Sequence, residues 1–238
     1  MNTHPAEDEL VWQFFHRRTT GFFIDVGANE PTAGSQTWLL EKNGWNGILI
    51  EPLPDLAERL RAERGRSRVY QVACGSPGHP KTAEFHEAAA HDHSGLAKYA
   101  VDASDKYVQV HRVQMLTLDE VIELAKCPTI DFVSIDVEGA EFDVLRGFDL
   151  SRHKPSLVLL EDHLFNVNSH RLLRASGYRL VRRTGLNSWY IPRHTPFRVT
   201  LVDRLKLFRK VWLGTPLRAW KHRRKVTRVL RVEPTQQR

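Results

Sequence analysis

The chain has 238 residues, of which 41% are hydrophobic and 26% are charged, and its formal net charge is +7. These values exclude a disordered or fibrous chain and predict one folded domain with a short appendage. Because the first residues are acidic and no apolar run approaches the roughly 18 residues of a membrane span, we expect no signal peptide, no membrane-spanning helix and a cytoplasmic location.

Strand and helix patterns alternate through residues 1–193, which is typical of a parallel sheet covered by crossover helices. The predicted strands are 22–26, 47–51, 68–73, 130–136, 156–161, 178–182 and 188–191, and the predicted helices are 7–16, 35–42, 54–63, 118–126, 142–147 and 167–175. No helix separates the last two strands, so we expect them to pair antiparallel. The sequence therefore predicts an α/β, Rossmann-like sheet of seven strands, mostly parallel, with an antiparallel terminal hairpin and helices on both faces.

Residues 75–115 interrupt this alternation with a stretch rich in glycine, histidine, alanine and aspartate. A long insertion in a compact domain is more often a functional lid than a structureless loop. We expect this insertion to lie beside the ligand, because it follows the third predicted strand.

Two strand ends carry the strongest functional signal. The first strand ends in Asp25 and a turn at Gly27, and the second ends in Glu51, which follows Asp25 by 26 positions. In open α/β sheets such a glycine turn lets the backbone approach a ligand, and the acid after the next strand can bind ribose hydroxyls. These residues predict a nucleoside-type cofactor.

The turn lacks the glycines that a pyrophosphate or a nucleoside triphosphate requires. Only one glycine stands at the crossing point, so the G-x-G-x-x-G pattern is absent, and Gly34 is not followed by the Lys and Ser/Thr of a P-loop. S-adenosylmethionine has no phosphate and is the cofactor that we predict.

Several ordered motifs resemble the FkbM family of S-adenosylmethionine-dependent methyltransferases, over about 22–192. They are FIDVGAN at 23–29, IEP at 50–52, VACG at 72–75, SGL at 94–96, LTLD at 116–119 and IDFVSIDVEGAE at 130–141. The resemblance implies the methyltransferase fold, methyl transfer to hydroxyl groups of sugars or small metabolites, and a set of cofactor contacts. It places the methionine end of the cofactor at Asp25, Gly27, Ala28 and Asn29, the ribose at Glu51, and the adenine near Ala73 and Cys74.

A hydroxyl acceptor benefits from a group that removes its proton. Asp136 ends the fourth predicted strand, Glu138 follows two residues later, and Glu141 lies one helical turn beyond. We predict Asp136 and Glu138 to be catalytic and Glu141 to contact the substrate. The alternative role is structural, because acids in the first turn of a helix are stabilised by its dipole. Clustered carboxylates can also bind a divalent metal, with Asp136 joined by acids from the fifth predicted strand. We do not favour this alternative, and we predict no metal ligands.

The fifth predicted strand ends in Glu161, and His163 follows shortly after it. His163 is a second candidate for the catalytic base, because an ordinary histidine pKa suits proton uptake near neutrality. A hydrogen-bonded surface histidine is the structural alternative. We predict substrate contacts from Glu161 and, in the insertion, from His93 and Ser94.

The charge is unevenly distributed, because residues 194–238 contain 13 Lys/Arg and 2 Asp/Glu. Leu201, Leu205, Phe208 and Trp212 recur at helical spacing within this basic tail. The stripe fits packing on the domain or on a second subunit, contact with an anionic membrane through residues 197–232, or, less well, nucleic-acid binding. We predict peripheral association with the inner membrane surface.

The function that these features favour is S-adenosylmethionine-dependent O-methylation of a sugar, glycolipid or small metabolite. Two alternatives are an RNA ribose 2'-O-methyltransferase, which would account for the basic tail, and a non-catalytic module that binds a membrane or a partner.

Overall fold

The computed structural model describes residues 6–88, 95–96, 107–127, 129–162 and 166–209. Its strands are β1 (Phe22–Val26), β2 (Asn46–Ile50), β3 (Ser67–Tyr70), β4 (Ala73–Cys74), β5 (Thr82–Ala88), β6 (Gly95–Leu96), β7 (Tyr107–Leu116), β8 (Phe132–Ile135), β9 (Leu157–Glu161), β10 (Tyr178–Thr184) and β11 (Asn187–Pro192). Its helices are α1 (Glu7–Phe14), α2 (Trp38–Lys42), α3 (Pro54–Glu63), α4 (Leu118–Ala125), α5 (Glu141–Arg146), α6 (Leu150–His153), α7 (Val167–Ala175) and α8 (Leu201–Phe208).

The main sheet has seven strands in the order β10-β11-β9-β8-β1-β2-β3. The pairings from β9 through β8, β1 and β2 to β3 are parallel, whereas β11 is antiparallel to both β9 and β10. The predicted Rossmann-like sheet with an antiparallel terminal hairpin is therefore confirmed. All five residues of β1 are buried, as expected for a central strand that is covered on both faces.

Two apolar clusters cover the two faces of this sheet. On one face, Ile24 and Val26 of β1 pack with residues of α4, α5 and α7, including Val121, Val144 and Leu173. On the other face, Phe23 packs with residues of α1, α2 and α3 and with the fully buried Trp45. The prediction of helices on both faces is confirmed.

Several predicted boundaries are wrong by a few residues. The predicted strand 68–73 is two strands, because the chain leaves the main sheet after Tyr70 and β4 pairs with β7 instead. The predicted helix 35–42 begins only at Trp38, and the Ser35 hydroxyl accepts hydrogen bonds from the Thr37 and Trp38 amides in a turn that precedes the helix. The short helix α6 was not predicted. Asp149 caps it by accepting bonds from two backbone amides.

The insertion contains strands that the sequence-based prediction missed. A second sheet has the order β4-β7-β5-β6, in which β5 is antiparallel to β6 and β7, and β4 is parallel to β7. The inward residues Phe85, Val113 and Met115 are buried, whereas Val108 and Val110 are exposed. This alternation is the period-two signal of a half-buried strand. A third apolar cluster joins the second sheet to Leu53, which precedes α3, and to Leu56 within α3.

Within the ranges described above, no helix is both long and apolar enough to cross a membrane.

Candidate functional site

A cavity lies where β1, β2 and β8 end side by side at the carboxyl edge of the sheet. β1 is the position at which the strand order reverses direction, and ligands of open α/β sheets bind at such a crevice. Gly27 forms the turn with φ of 83°, and a Cβ atom there would lie 1.7 Å from the backbone oxygen of Asp136. The glycine is therefore required both by its conformation and by the close approach of the loop after β8.

Glu51 forms the second wall of the cavity from the end of β2. Its Oε2 accepts a hydrogen bond of 3.0 Å from the Asn29 amide, and its Oε1 accepts one of 2.9 Å from the Leu53 amide. The side chain is buried, and burial raises the pKa of Glu51 to about 7 despite these bonds. Each carboxylate oxygen retains a further lone pair for a ligand hydroxyl. The arrangement suits the binding of a vicinal diol.

Asn29 lines the cavity in a left-handed backbone conformation, with φ of 49°. This conformation aims its amide at Glu51, and asparagine tolerates it better than most residues. The Asn29 Oδ1 atom is buried, and it has no hydrogen-bond partner among the residues that the structure describes. It is an available acceptor in the cavity wall.

Asp25 is fully buried but is not among the residues that line the cavity. Its Oδ2 accepts a 2.7 Å hydrogen bond from the Thr37 hydroxyl. Arg64 also donates to the Thr37 hydroxyl and forms a buried ion pair of 2.8 Å with Glu41. Burial raises the pKa of Asp25, and the Thr37 bond and the Arg64 charge oppose that rise. In the structure Asp25 thus belongs to a network beneath the glycine turn.

The third side of the cavity is apolar. Ala73 and Cys74 of β4 line it together with Phe85 and Leu96 from the insertion. Burial raises the pKa of Cys74 to about 12, so its thiol stays neutral at physiological pH. Such walls suit a flat aromatic group such as a nucleobase.

A cluster of acids lies across the cavity from Glu51. One carboxylate oxygen from each of Asp136, Glu138 and Glu161 lies within 4.8 Å of the others. Asp136 and Glu138 line the cavity, and Glu138 adopts a left-handed conformation, with φ of 50°, just before Gly139. Carboxylate oxygens at this spacing repel one another when both are charged, and they can bind a divalent cation.

Glu161, the last residue of β9, is the third member of this cluster. Burial raises the pKa of Glu161, a hydrogen bond with Asp136 opposes the rise, and the charges of Glu138 and Glu141 add to it. Next to it, buried Asp162 accepts hydrogen bonds from Arg183 and Ser188. This ion pair fixes the end of β9 and brings a positive charge close to the acids.

Glu141 lies at the start of α5, where its Oε1 accepts a 2.8 Å hydrogen bond from the Gly139 amide. The bond closes the turn between β8 and α5. Burial raises the pKa of Glu141, and the charge of Asp136 adds to that rise. Glu141 does not line the cavity, so its contact with the substrate stays a prediction.

The structure brings together many of the residues that the sequence singled out. Gly27, Asn29, Glu51, Ala73, Cys74, Asp136 and Glu138 line one cavity. Ala28 is buried behind the turn, and its amide donates to the Ile50 oxygen. His93, Ser94 and His163 lie outside the described residues, so their roles stay predictions.

Sequence reasoning missed the lining residues Phe85, Leu56 and Val72, and it did not assign Leu96 to the site. The alternating pattern of residues 82–88 was an available signal for Phe85. Thr37 and Arg64 carried no signal, because the bonds from Arg64 to Thr37 and from Thr37 to Asp25 join positions far apart in the chain.

The strand order and the cavity at its switch point define a Rossmann-like methyltransferase fold. Residues 25–180 match the family model described as the methyltransferase FkbM domain. Because this match spans well over half of the chain, the protein belongs to the FkbM methyltransferase family.

A curated relative is the hexuronic acid methyltransferase AglP of Haloferax volcanii, which is 24% identical over 159 residues. The alignment covers 66% of this chain and 57% of that protein, so the chain spans little more than half the length of this relative.

Two solved structures are also similar. Precorrin-6y C5,15-methyltransferase from Geobacter metallireducens has a TM-score of 0.41 at 12% identity, covering 76% of this chain and 84% of that one. A TehB-like SAM-dependent methyltransferase from Corynebacterium glutamicum has a TM-score of 0.43 at 10% identity, covering 80% of this chain and 89% of that one.

Proposed function

We propose that this methyltransferase uses S-adenosylmethionine to methylate a hydroxyl group of a sugar, a glycolipid or a small metabolite. The observation that carries the proposal is the pairing of two unlike acidic sites across one cavity. Glu51 lies on one side, held by two backbone amides, and the cluster of Asp136, Glu138 and Glu161 lies on the other.

The residues suggest a position for each part of the cofactor. Glu51 accepts hydrogen bonds from the ribose hydroxyls, and the apolar wall of Ala73, Cys74 and Phe85 contacts the adenine. The buried Oδ1 of Asn29 accepts a hydrogen bond from the methionine end, beside the turn at Gly27. Asp25 supports this turn from beneath through Thr37. In this arrangement the reactive methyl group faces the acids after β8.

Methyl transfer is a direct displacement, so the acceptor oxygen must be aligned with the sulfonium methyl and must lose its proton. Asp136 and Glu138 are the proposed proton acceptors, and Glu161 holds Asp136 in place through their hydrogen bond. In this scheme a neutral hydroxyl is a better acceptor than a carboxylate, because the clustered negative charges repel an anion.

The acceptor class rests on the relative described as a hexuronic acid methyltransferase, and the charge argument bears only on the position that is methylated, a neutral hydroxyl in preference to the carboxylate. Sugars that contain hexuronic acid are therefore the first acceptors to test, with a hydroxyl of the sugar as the expected position.

Calorimetric titration with S-adenosylmethionine and S-adenosylhomocysteine tests the cofactor. We expect Glu51→Gln to weaken binding roughly 10- to 100-fold, because it removes a charged hydrogen-bond acceptor. Glu30→Gln is the matched control, since Glu30 follows Asn29 but pairs with Arg59 at the surface. Equal affinity of the two variants would overturn the assigned cofactor site.

Transfer of a labelled methyl group to uronic-acid oligosaccharides, to neutral oligosaccharides and to RNA tests the acceptor. A methyl ether survives mild base, whereas a methyl ester is hydrolysed. A base-stable product on a sugar supports the proposal. A base-labile product would identify a carboxylate acceptor, and methylated RNA would favour ribose methylation. Cofactor binding without transfer to any acceptor would favour a non-catalytic module. Adding a chelator to the same assay tests metal dependence.

A further inference from the structure

Helix α8 turns its apolar side away from the protein. Leu201, Leu205 and Phe208 lie on one face at spacings of four and three residues, and their exposed fractions are 76%, 67% and 55%. The neighbouring Val202 is 59% exposed. An amphipathic surface helix normally packs such a stripe against the core.

The orientation of α8 is fixed by polar contacts on its other side. Asp203 is only 8% exposed, and it lies about 200° around the helix from Leu201. Its carboxylate accepts bonds from the Thr200 amide and hydroxyl, and the Thr200 hydroxyl accepts a bond from the Asp203 amide, which forms a capping box. Arg182 of β10 lies 3.7 Å from the second carboxylate oxygen of Asp203.

The segment before α8 is also attached to the domain. The Phe197 ring lies 6.1 Å from the Phe14 ring of α1, and the Arg182 guanidinium lies over both Phe197 and Trp189. These contacts hold the start of α8 in a position in which the acid faces inward and the leucines face outward. Packing of Leu201, Leu205 and Phe208 on the domain itself, one of the alternatives considered from the sequence, is therefore not what the described residues show.

The charges around the apolar stripe are basic. Arg198, Arg204, Lys206 and Arg209 are exposed within or beside α8. Residues 194–238 contain 13 Lys/Arg and 2 Asp/Glu, whereas the rest of the chain has more acids than bases. An outward apolar stripe with basic flanks matches the two requirements of an anionic bilayer surface, which are apolar insertion and attraction to lipid headgroups.

We propose that α8 binds an anionic lipid bilayer through its outward apolar stripe and the basic residues that flank it. A second copy of the chain fits less well, because it would bring two strongly basic segments together. Nucleic acid also fits less well, because phosphate contacts use the lysines and arginines and leave the apolar stripe exposed. The inference is independent of the methyl acceptor, since it rests only on α8 and its surroundings.

Flotation of the full chain with vesicles tests this proposal. We expect recovery with vesicles of phosphatidylcholine and phosphatidylglycerol, none with phosphatidylcholine alone, and reduced recovery at high salt. The double variant Leu205→Glu/Phe208→Glu should lower the membrane partition coefficient at least about tenfold, because each substitution places a charge on the inserting face.

The matched control is Leu124→Glu/Val167→Glu, which adds the same charge at exposed apolar positions on α4 and α7. It should float like the wild type, and circular dichroism should show that both variants are folded. Equal loss of flotation in both variants would mean that net charge alone is responsible, and it would overturn the role of the α8 stripe.

Three other results would also overturn the proposal. They are no flotation of the wild type with anionic vesicles, unchanged flotation of the α8 variant, and a wild-type dimer in light scattering that the α8 variant alone abolishes.

Discussion

On the β1–β2 side of the cavity a single carboxylate, Glu51, accepts bonds from two backbone amides, whereas on the β8–β9 side three carboxylates crowd within 4.8 Å. The first arrangement is set by the backbone and suits recognition of a ligand with fixed geometry. The second is acidic and partly buried: burial raises the pKa of Glu161, and the charges of Glu138 and Glu141 add to the rise, which suits the uptake of a proton. A single row of strand ends can therefore supply both a rigid binding site and a reactive one.

Replacing Asp136 on the β8–β9 side should reduce activity most strongly. Asp136→Asn keeps the shape of the side chain but removes a proton acceptor, so we expect kcat to fall by about 10²- to 10⁴-fold. Affinity for S-adenosylmethionine should stay within about twofold, because the β1–β2 side is unchanged. Initial rates and calorimetry on the same preparation check this.

Glu123→Gln is the control for that experiment, since Glu123 is an exposed surface acid paired with Arg152. Full activity of the Asp136 variant would assign proton uptake to another group, and Glu138 and then His163 would be the next residues to replace.

Gly27→Ala should disrupt both sides at once, because the new Cβ would overlap the Asp136 backbone oxygen and Gly27 has a positive φ. We expect the free energy of unfolding to fall by at least about 3 kcal/mol. Gly34→Ala is the matched control, because Gly34 has φ of 73° and nothing within 4 Å of the added atom. Gly34→Ala should lower the free energy of unfolding by only about 1 kcal/mol. Denaturant titration measures both, and equal losses would contradict the overlap.

The raised pKa of Glu51 predicts how stability varies with pH. Its ordinary value is 4.5 and its folded value is about 7, so between these values the folded state binds more protons than the unfolded state. The stabilisation that Glu51 contributes to the folded state is therefore fully present below about pH 4.5, and it is lost as the pH rises through 7.

Between pH 5 and pH 8, the free energy of unfolding of the wild-type apoprotein should accordingly fall by up to about 3 kcal/mol relative to that of the Glu51→Gln variant. Chemical unfolding of both proteins at these two pH values measures the difference. A difference that stays constant with pH would mean that Glu51 titrates normally, and that it is more hydrated than the structure shows.

Loss of the hydrogen bond to Asp25 should have only a modest consequence. Thr37→Val removes the hydroxyl that donates to Asp25, and it should lower the free energy of unfolding by about 1–2 kcal/mol. Thr37→Ser keeps the donor and should restore most of that stability. Neither change should alter cofactor affinity by more than about threefold, since Asp25 lies beneath the turn. A loss of cofactor affinity as large as that expected for Glu51→Gln would place Asp25 among the direct cofactor contacts.

The sequence predicted the architecture well where local signals coincide with the fold. The bounds of α3 and α7 are correct because Pro54 starts one helix and Asn166 caps the other. The meeting of Asp136 and Glu161 also followed from the sequence, since adjacent parallel strands end at one edge.

The rest depends on contacts between distant positions. The sheet of the insertion needs pairing across a long loop, and the Thr37–Arg64–Glu41 network joins residues that show no common pattern. The division of the chain at residue 193 stays a prediction, as do the roles of His93, Ser94 and His163.

The insertion leaves and re-enters the domain at one point. Ala73 and Cys74 of β4 pair with Met115 and Leu116 of β7, and the Gly75 amide donates a 2.9 Å bond to the Leu116 oxygen. The two ends of the intervening segment are thus already joined by the backbone. We expect residues 76–114 to behave as an exchangeable cassette, so that grafting the corresponding segment of another family member would transplant one wall of the cavity without altering the main sheet.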